Sequence, residues 1–131
     1  MFHCAPLRSA VLNEGLESLR WCHHAHYAFD PMEKSVVLPS TLRALEDRAF
    51  KDCEKLSRVE FCEGSRLERI EKYAFYCCSS LRSICLPEGL KCIGERCFFR
   101  SGVEEITIPS SVTTIEGEAF LECEHLSRVT F

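Results

Sequence analysis

The sequence lacks the features that mark membrane-spanning or nucleic-acid-binding chains. No apolar run approaches the roughly 18 residues that cross a bilayer. Sixteen basic and twenty acidic residues give a formal net charge of -4, so no basic surface for a phosphate backbone is expected. We therefore predict neither membrane insertion nor a nucleic-acid partner.

The sequence also offers no export signal in its first residues. The start, "MFHCAPLRSAVLNEGLESLRWCHH", has only short apolar pieces, which predicts no signal peptide and a reducing, cytoplasmic location by default. Ten cysteines in 131 residues would indicate a disulfide-stapled scaffold in a secreted chain. In a reducing compartment these cysteines need another explanation.

Catalytic motifs are missing as well. We find no nucleophile with a base and an orienting acid, and the glycines of "CEGS" (62–65) and "PEG" (87–89) belong to turns. We predict no enzyme and no cofactor. The stretch "WCHHAHY" places Cys22, His23, His24 and His26 close together, and such ligands suit zinc or copper. Zinc normally needs a second ligand pair, so a metal or redox role is kept only as a distant alternative.

A repeat dominates what is present. "AFKDCEKLSRVEF" (49–61) returns as "AFLECEHLSRVTF" (119–131) with nine of thirteen positions identical. Aligning on the phenylalanine of this motif gives Phe50, Phe75, Phe98 and Phe120, which are 25, 23 and 22 residues apart. A period of this length is typical of solenoids, in which one short structural unit is stacked on the next.

Each unit predicts a short strand, a turn and a second apolar pair. The strands follow the pattern apolar-x-apolar, which indicates one buried face. Turns such as "LPSTL" (38–42) and "IPSSV" (108–112) follow, while "FCEGSRL" (61–67) is two residues longer. Segments such as "EDRAFKDC" (46–53) are long enough for one or two helical turns. The strand pairs are Val36 and Leu38, Val59 and Phe61, Ile84 and Leu86, Ile106 and Ile108, and Val129 and Phe131.

Single units bury too little apolar surface to offset their ordering entropy, so they must stack. We predict an α/β solenoid whose strands form a parallel ladder, with short helices or turns on the other side. The four phenylalanines should then lie in a single file. A structure that scattered them would contradict this interpretation.

The unit resembles the leucine-rich repeats of the BspA-like class. Their pattern "LxxIxIPxxVxxIGxxAFxxCxx" is similar to "VEEITIPSSVTTIEGEAFLECEHL" (103–126). The resemblance implies a right-handed solenoid with a parallel sheet on its concave side and short helices or turns on its convex side. It also implies a surface or adhesion protein, and thus a location at the cell surface if the sequence is part of a longer chain.

The predicted organisation is an irregular N-terminal cap or degenerate repeat in residues 1–35 and a repeat domain of about four units in residues 36–131. The last predicted strand, at Val129 to Phe131, is followed by no capping unit in the sequence given. We expect either a longer array or self-association through this C-terminal edge.

Several cysteines belong to the repeat. Cys53, Cys78 and Cys123 share one column, where a small, weakly polar side chain packs well in a core. An alternative is a disulfide between Cys53 and Cys78, and the neighbouring Cys77 could act as a redox sensor. Exposed thiols are possible at the variable positions Cys62, Cys85 and Cys92.

Function is expected at the outward positions of the predicted strands. The fold orders the backbone there but does not constrain the residue type. A mixed-charge ladder suits a protein or peptide partner better than a small molecule. The competing interpretation is a solvated surface whose opposite charges only stabilise the sheet. The candidate partner-binding residues on the concave face are Arg58, Glu60, Ser83, Cys85, Glu105, Thr107, Arg128 and Thr130.

Overall fold

The computed structural model describes the backbone of residues 9–11 and 18–19 and all of residues 34–131. Longer and shorter β-strands alternate along the described chain, from β1 to β11. The longer strands are β1 (Ser9–Val11), β3 (Ser35–Leu38), β5 (Arg58–Phe61), β7 (Ser83–Cys85), β9 (Glu105–Thr107) and β11 (Arg128–Thr130). The shorter strands are β2 (Ser18–Leu19), β4 (Ala44–Leu45), β6 (Arg69–Ile70), β8 (Cys92–Ile93) and β10 (Thr114–Ile115).

All strand pairings are parallel, as predicted. The shorter strands form one five-stranded sheet in the order β10-β8-β6-β4-β2. The longer strands form two three-stranded sheets, β1-β3-β5 and β11-β9-β7. β5 and β7 lie side by side but belong to different hydrogen-bonded sheets. This interruption is next to the turn that is two residues longer than its equivalents.

The phenylalanines form the predicted single file in the core. The Phe50, Phe75 and Phe98 rings are fully buried, and successive ring centroids are 5.3–5.4 Å apart with interplanar angles of 12° or less. Phe120 continues the file and is partly buried. The paired apolar columns flank these rings, so Leu45, Ile70 and Ile93 are fully buried as well.

The α/β class and its short helices are not confirmed, because the residues that the structure describes contain strands and turns but no helix. Turns, the other option that the sequence left open, are found at these segments. The turn around Phe50 explains the difference. The N–H groups of Arg48, Phe50 and Asp52 donate to carbonyls of the next coil, at 3.1, 2.7 and 2.8 Å. Arg48 and Asp52 have φ angles of 61° and 63°, which interrupt a right-handed helix. Stacking therefore replaces the hydrogen bonds of a helix.

Gly94 allows two coils to approach closely. A Cβ atom at this position would be 2.6 Å from the Glu71 carbonyl carbon and 2.6 Å from the Lys72 nitrogen, both of which are backbone atoms. Gly117, in the next coil, has no atom within 4 Å of such a Cβ. Glycine is thus sterically required at position 94 and not at position 117.

The cysteine column has the packing role that the sequence predicts. The Cys78 thiol donates to the Phe50 carbonyl of the preceding coil at 3.1 Å, and the Cys123 thiol donates to the Phe98 carbonyl at 2.9 Å. Cys78 carries a free thiol, so the alternative disulfide with Cys53 is not formed. Burial raises the pKa of Cys78 well above that of an ordinary thiol, which keeps it protonated and able to donate.

Candidate functional site

The outward side chains of four neighbouring longer strands form an exposed surface, which we call the strand face. Alternation along each strand buries Val59, Ile84 and Ile106 and turns their neighbours outward. All eight predicted residues are exposed. They are Arg58 and Glu60 on β5, Ser83 and Cys85 on β7, Glu105 and Thr107 on β9, and Arg128 and Thr130 on β11.

Strand register determines which of these residues are neighbours. Glu105 lies between Ser83 and Arg128 in one row, and Cys85, Thr107 and Thr130 form the next row. Arg58 and Glu60 lie on the other side of the sheet interruption, where they pair in register with β3. The strand face therefore consists of two ordered patches at neighbouring strands.

Ion pairs neutralise most of the charge on the strand face. Arg58 Nε is 2.8 Å from Glu60 Oε2, and Arg128 Nη1 is 3.6 Å from Glu105 Oε1. Each exposed pair of this kind contributes roughly 0–1 kcal/mol to stability. A partner could therefore replace these pairs with its own charges at little energetic cost.

One further pair at this face was missed by the sequence reasoning. Arg82 Nη1 is 3.6 Å from Glu104 Oε2, and both residues immediately precede a longer strand. Opposite charges at the same repeat position in adjacent units are the signal that could have identified it. Both residues are exposed and directly precede Ser83 and Glu105 of the strand face.

Sequence reasoning also missed a ladder of aromatic and charged side chains on the turns. The Arg48 guanidinium lies 4.8 Å from the Tyr73 ring centroid, and the Tyr76 and Phe99 rings stack at 4.9 Å. Arg100 Nε then donates to Glu122 Oε1 at 2.9 Å. Each contact joins one coil to the next, so this ladder stabilises the stack from its outer side.

The turns also border an open polar cleft of about 330 Å³. It is lined by residues of three successive coils, among them Ser79, Arg100, Gly102 and Glu122. The Arg100 guanidinium is held by the Glu122 carboxylate. Within this lining, no nucleophile is paired with a general base.

The other candidate chemistry receives no support from the described residues. Within residues 34–131 no group of three or more His, Cys, Asp or Glu side chains could hold a metal ion, and the Cys22 to His26 motif lies outside the described residues. Burial, with a smaller contribution from Asp52, raises the pKa of Cys77. A higher pKa lowers the thiolate fraction that redox sensing requires.

The repeat geometry agrees with a known family. The family model for the BspA-type leucine-rich repeat region matches residues 23–131 with six copies. The chain belongs to the BspA-type leucine-rich repeat family. BspA-type repeats are generally non-enzymatic scaffolds, and leucine-rich repeat proteins generally bind other proteins.

Solved structures of bacterial leucine-rich repeat proteins share this fold. A leucine-rich repeat protein of T. pallidum is 32% identical over 93% of this chain and 57% of its own, with a TM-score of 0.80. One from Bacteroides ovatus is 30% identical over 92% of this chain and 36% of its own, with a TM-score of 0.71. The chain thus spans about half or less of these relatives' lengths.

A third structure, of a leucine-rich repeat protein from Eubacterium ventriosum, is 25% identical over 94% of this chain and 31% of its own, with a TM-score of 0.76. No match was found among curated proteins. No helix long and apolar enough to cross a membrane occurs in the part of the BspA-type chain that the structure describes.

Proposed function

We propose that this chain is a non-catalytic interaction module that binds a protein or peptide partner through its strand face. The observation that carries the proposal is the exposed surface of mixed charge that β7, β9 and β11 present in one sheet and β5 presents beside it. Backbone hydrogen bonds fix the position of each residue, while its outward side chain makes few contacts with the core. Such a surface is pre-organised for a partner, which lowers the entropic cost of binding.

The chemistry of the strand face favours a partner with charges of both signs. Arg58 and Arg128 are exposed cations, and Glu60 and Glu105 are exposed anions. Thr107 and Thr130, which are neighbours on β9 and β11, offer hydroxyl groups that donate and accept hydrogen bonds. Small apolar ligands would find no enclosed apolar pocket on such a surface.

The test is an affinity capture with two matched variants. In the first, alanine replaces Arg58, Glu60, Glu105 and Arg128, which removes two exposed ion pairs from the strand face. In native extract, with mass spectrometry as the readout, we expect this variant to lose the partner that the unchanged chain captures. Its melting temperature should stay close to that of the unchanged chain, because exposed pairs contribute little.

The control removes two ion pairs of the same composition from other sides of the molecule. It carries alanine at Arg69 and Glu71, which are 3.2 Å apart, and at Arg96 and Glu118, which are 2.6 Å apart. This control should capture the partner normally. Equal loss of capture in both variants would contradict a role specific to the strand face.

A second candidate function is a purely architectural segment of a longer array. Two observations are compatible with an architectural role. The phenylalanine file is continuous from coil to coil, and the surface ion pairs contribute little to stability. In that case all three chains should capture the same proteins. We keep residues 36–131 as the proposed repeat domain and residues 1–35 as its N-terminal cap or degenerate repeat. Self-association through the C-terminal edge also stays a prediction.

For location, the BspA-type resemblance favours the cell surface, as in surface and adhesion proteins of this class. This proposal replaces the cytoplasmic default that we drew from the first residues of the sequence. Antibody labelling of intact cells, compared with permeabilised cells, would test it. Signal that required permeabilisation would contradict a surface location.

A further inference from the structure

One coil is a residue shorter than the coils on both sides of it. Between Ser101, which takes the cysteine-column position, and the inward-facing Val103, the chain has only Gly102. The other coils have two residues at this place. These pairs are Glu54 and Lys55, Ser79 and Ser80, and Glu124 and His125. The deletion therefore lies inside the described array, with a described coil on each side.

The shortened segment is drawn toward the preceding coil. The Gly102 N–H donates to the Cys78 carbonyl at 3.1 Å, and a Cβ atom on Gly102 would clash with the Ser79 carbonyl oxygen. Space is left on the other side of Gly102, toward Glu124 and His125, and this space is the polar cleft of about 330 Å³. One water takes roughly 30 Å³, so the cleft admits a chemical group larger than water.

The cleft carries one anion that no described cation neutralises. Arg100 is already engaged, because its Nε donates to Glu122 Oε1 at 2.9 Å and its guanidinium lies 5.4 Å from the Phe99 ring centroid. Glu124 has no ion-pair partner in the described part of the chain. With its histidine neutral, the lining has one cation and two anions, so its net charge is negative. This charge favours a cationic ligand.

Open hydrogen-bond acceptors lie on the coils on both sides of the short segment. The Glu124 carboxylate and the Ser79 hydroxyl make no hydrogen bond to a described residue, and Glu122 has only Oε1 engaged. Ser101 is 3% exposed and contacts the Cys123 thiol at 3.6 Å, so it belongs to the floor of the cleft. A guanidinium group has five N–H donors in one plane, which suit acceptors on separate walls.

A metal ion suits these acceptors less well than a guanidinium group does. In the part of the chain that the structure describes, no three His, Cys, Asp or Glu side chains are grouped so that they could hold a metal ion. Guanidinium is also more weakly hydrated than an ammonium group, so it loses less on leaving water. The lining therefore favours guanidinium among the cations.

We infer that this cleft binds the guanidinium group of an arginine side chain or of a free guanidino compound. The guanidinium donates to the Glu124 carboxylate and to the Ser79 hydroxyl, across the gap that the deletion leaves beside Gly102. This inference goes beyond the proposed function, because the cleft lies at the turns and includes no residue of the strand face.

The test uses two blocked amino acids of nearly the same shape. N-acetyl-L-arginine methylamide carries the guanidinium, and N-acetyl-L-citrulline methylamide has a neutral urea in its place. In NMR titrations of the full chain at constant ionic strength, we expect the arginine compound to shift the amide signals of Ser79, Gly102 and His125. The citrulline compound should bind roughly 3- to 10-fold more weakly, between the effects of an exposed ion pair and of a charged hydrogen bond.

A third ligand distinguishes the two sources of the guanidinium. n-Propylguanidine carries the same group without a peptide backbone. Tighter binding of n-propylguanidine than of the blocked arginine supports a free guanidino compound as the ligand. Equal or tighter binding of the blocked arginine supports a side chain of a partner polypeptide.

Three variants of the protein make the result specific. Glu124→Gln should weaken binding of the arginine compound roughly 3- to 10-fold, because the amide keeps the shape but loses the charge. Glu54→Gln removes the carboxylate at the same repeat position of another coil and should leave binding unchanged. A serine inserted between Ser101 and Gly102 restores the two-residue spacing and should abolish binding, since it fills the cleft. Melting curves check that each variant is folded.

Three results would overturn the inference. One is equal binding of the arginine and citrulline compounds by the unchanged chain. Another is binding that Glu124→Gln leaves unchanged or that Glu54→Gln weakens equally. The third is a set of shifts that avoids Ser79, Gly102 and His125. Strand-face capture depends on other residues and is measured separately, so its outcome does not depend on these.

Discussion

The stacked phenylalanine file should produce energetic coupling that depends on adjacency. Phe75 and Phe98 have centroids 5.3 Å apart and an interplanar angle of 7°, and each is fully buried. Replacing either with leucine keeps an apolar side chain but removes the ring contact. Stacked aromatic pairs contribute about 0.5–1.5 kcal/mol beyond their buried area. A double-mutant cycle of Phe75→Leu and Phe98→Leu should therefore give a coupling free energy of about that size.

The control cycle uses Phe50→Leu and Phe120→Leu, which are separated in the file by Phe75 and Phe98 and do not touch. Their effects should add to within about 0.3–0.5 kcal/mol, as distant sites do. Urea denaturation followed by circular dichroism supplies the free energy of unfolding for each variant. Equal coupling in the two cycles, or none between Phe75 and Phe98, would refute the argument that ring stacking between neighbours stabilises the coils.

Three further predictions concern glycine and cysteine. Gly94→Ala should lower the free energy of unfolding by about 1–3 kcal/mol, because its Cβ meets backbone, whereas Gly117→Ala should change it by under about 1 kcal/mol in urea titrations. Burial raises the pKa of Cys97 above the ordinary thiol value of 9.0. The contribution of the neutral Cys97 thiol to the free energy of unfolding is therefore complete below pH 9.0 and falls at higher pH, where the thiol of the unfolded chain ionises. Cys97→Ala should therefore make the fall in stability from pH 8 to pH 10 shallower, and an unchanged slope would contradict this. In the folded chain, iodoacetamide should label exposed Cys85 and leave Cys78 unmodified until urea unfolds it, as peptide mapping would reveal.

Much of the fold could be predicted from the sequence because the repeat ties each residue type to a position in space. The recurrence of phenylalanine predicted the file, and alternation at Val59 and Ile84 predicted the buried side of the strands. The choice between short helices and turns stayed open in the sequence because segment length alone does not show where backbone N–H groups donate. At Arg48, stacking directs the N–H group to the next coil.

The surface was only partly predictable. The outward positions followed from strand alternation, but the choice of ion-pair partner depends on side-chain conformation. Arg58 pairs within its own strand, whereas Arg128 pairs with Glu105 on the neighbouring strand, although both arginines occupy the same repeat position. The interruption between β5 and β7 was likewise not predicted, because a longer turn does not reveal how it displaces the strands.

The left-handed turn residues have a consequence for how this chain tolerates variation. Within residues 34–131, eight residues other than glycine have φ angles of 50–63°, two in each of four turns, and none of them is β-branched. Proline fixes φ near -65°, and β-branched side chains strongly disfavour positive φ. A saturation scan should therefore find these surface positions closed to proline, valine, isoleucine and threonine. Conservation at them in related sequences would then report backbone geometry and should not be taken as evidence of a ligand.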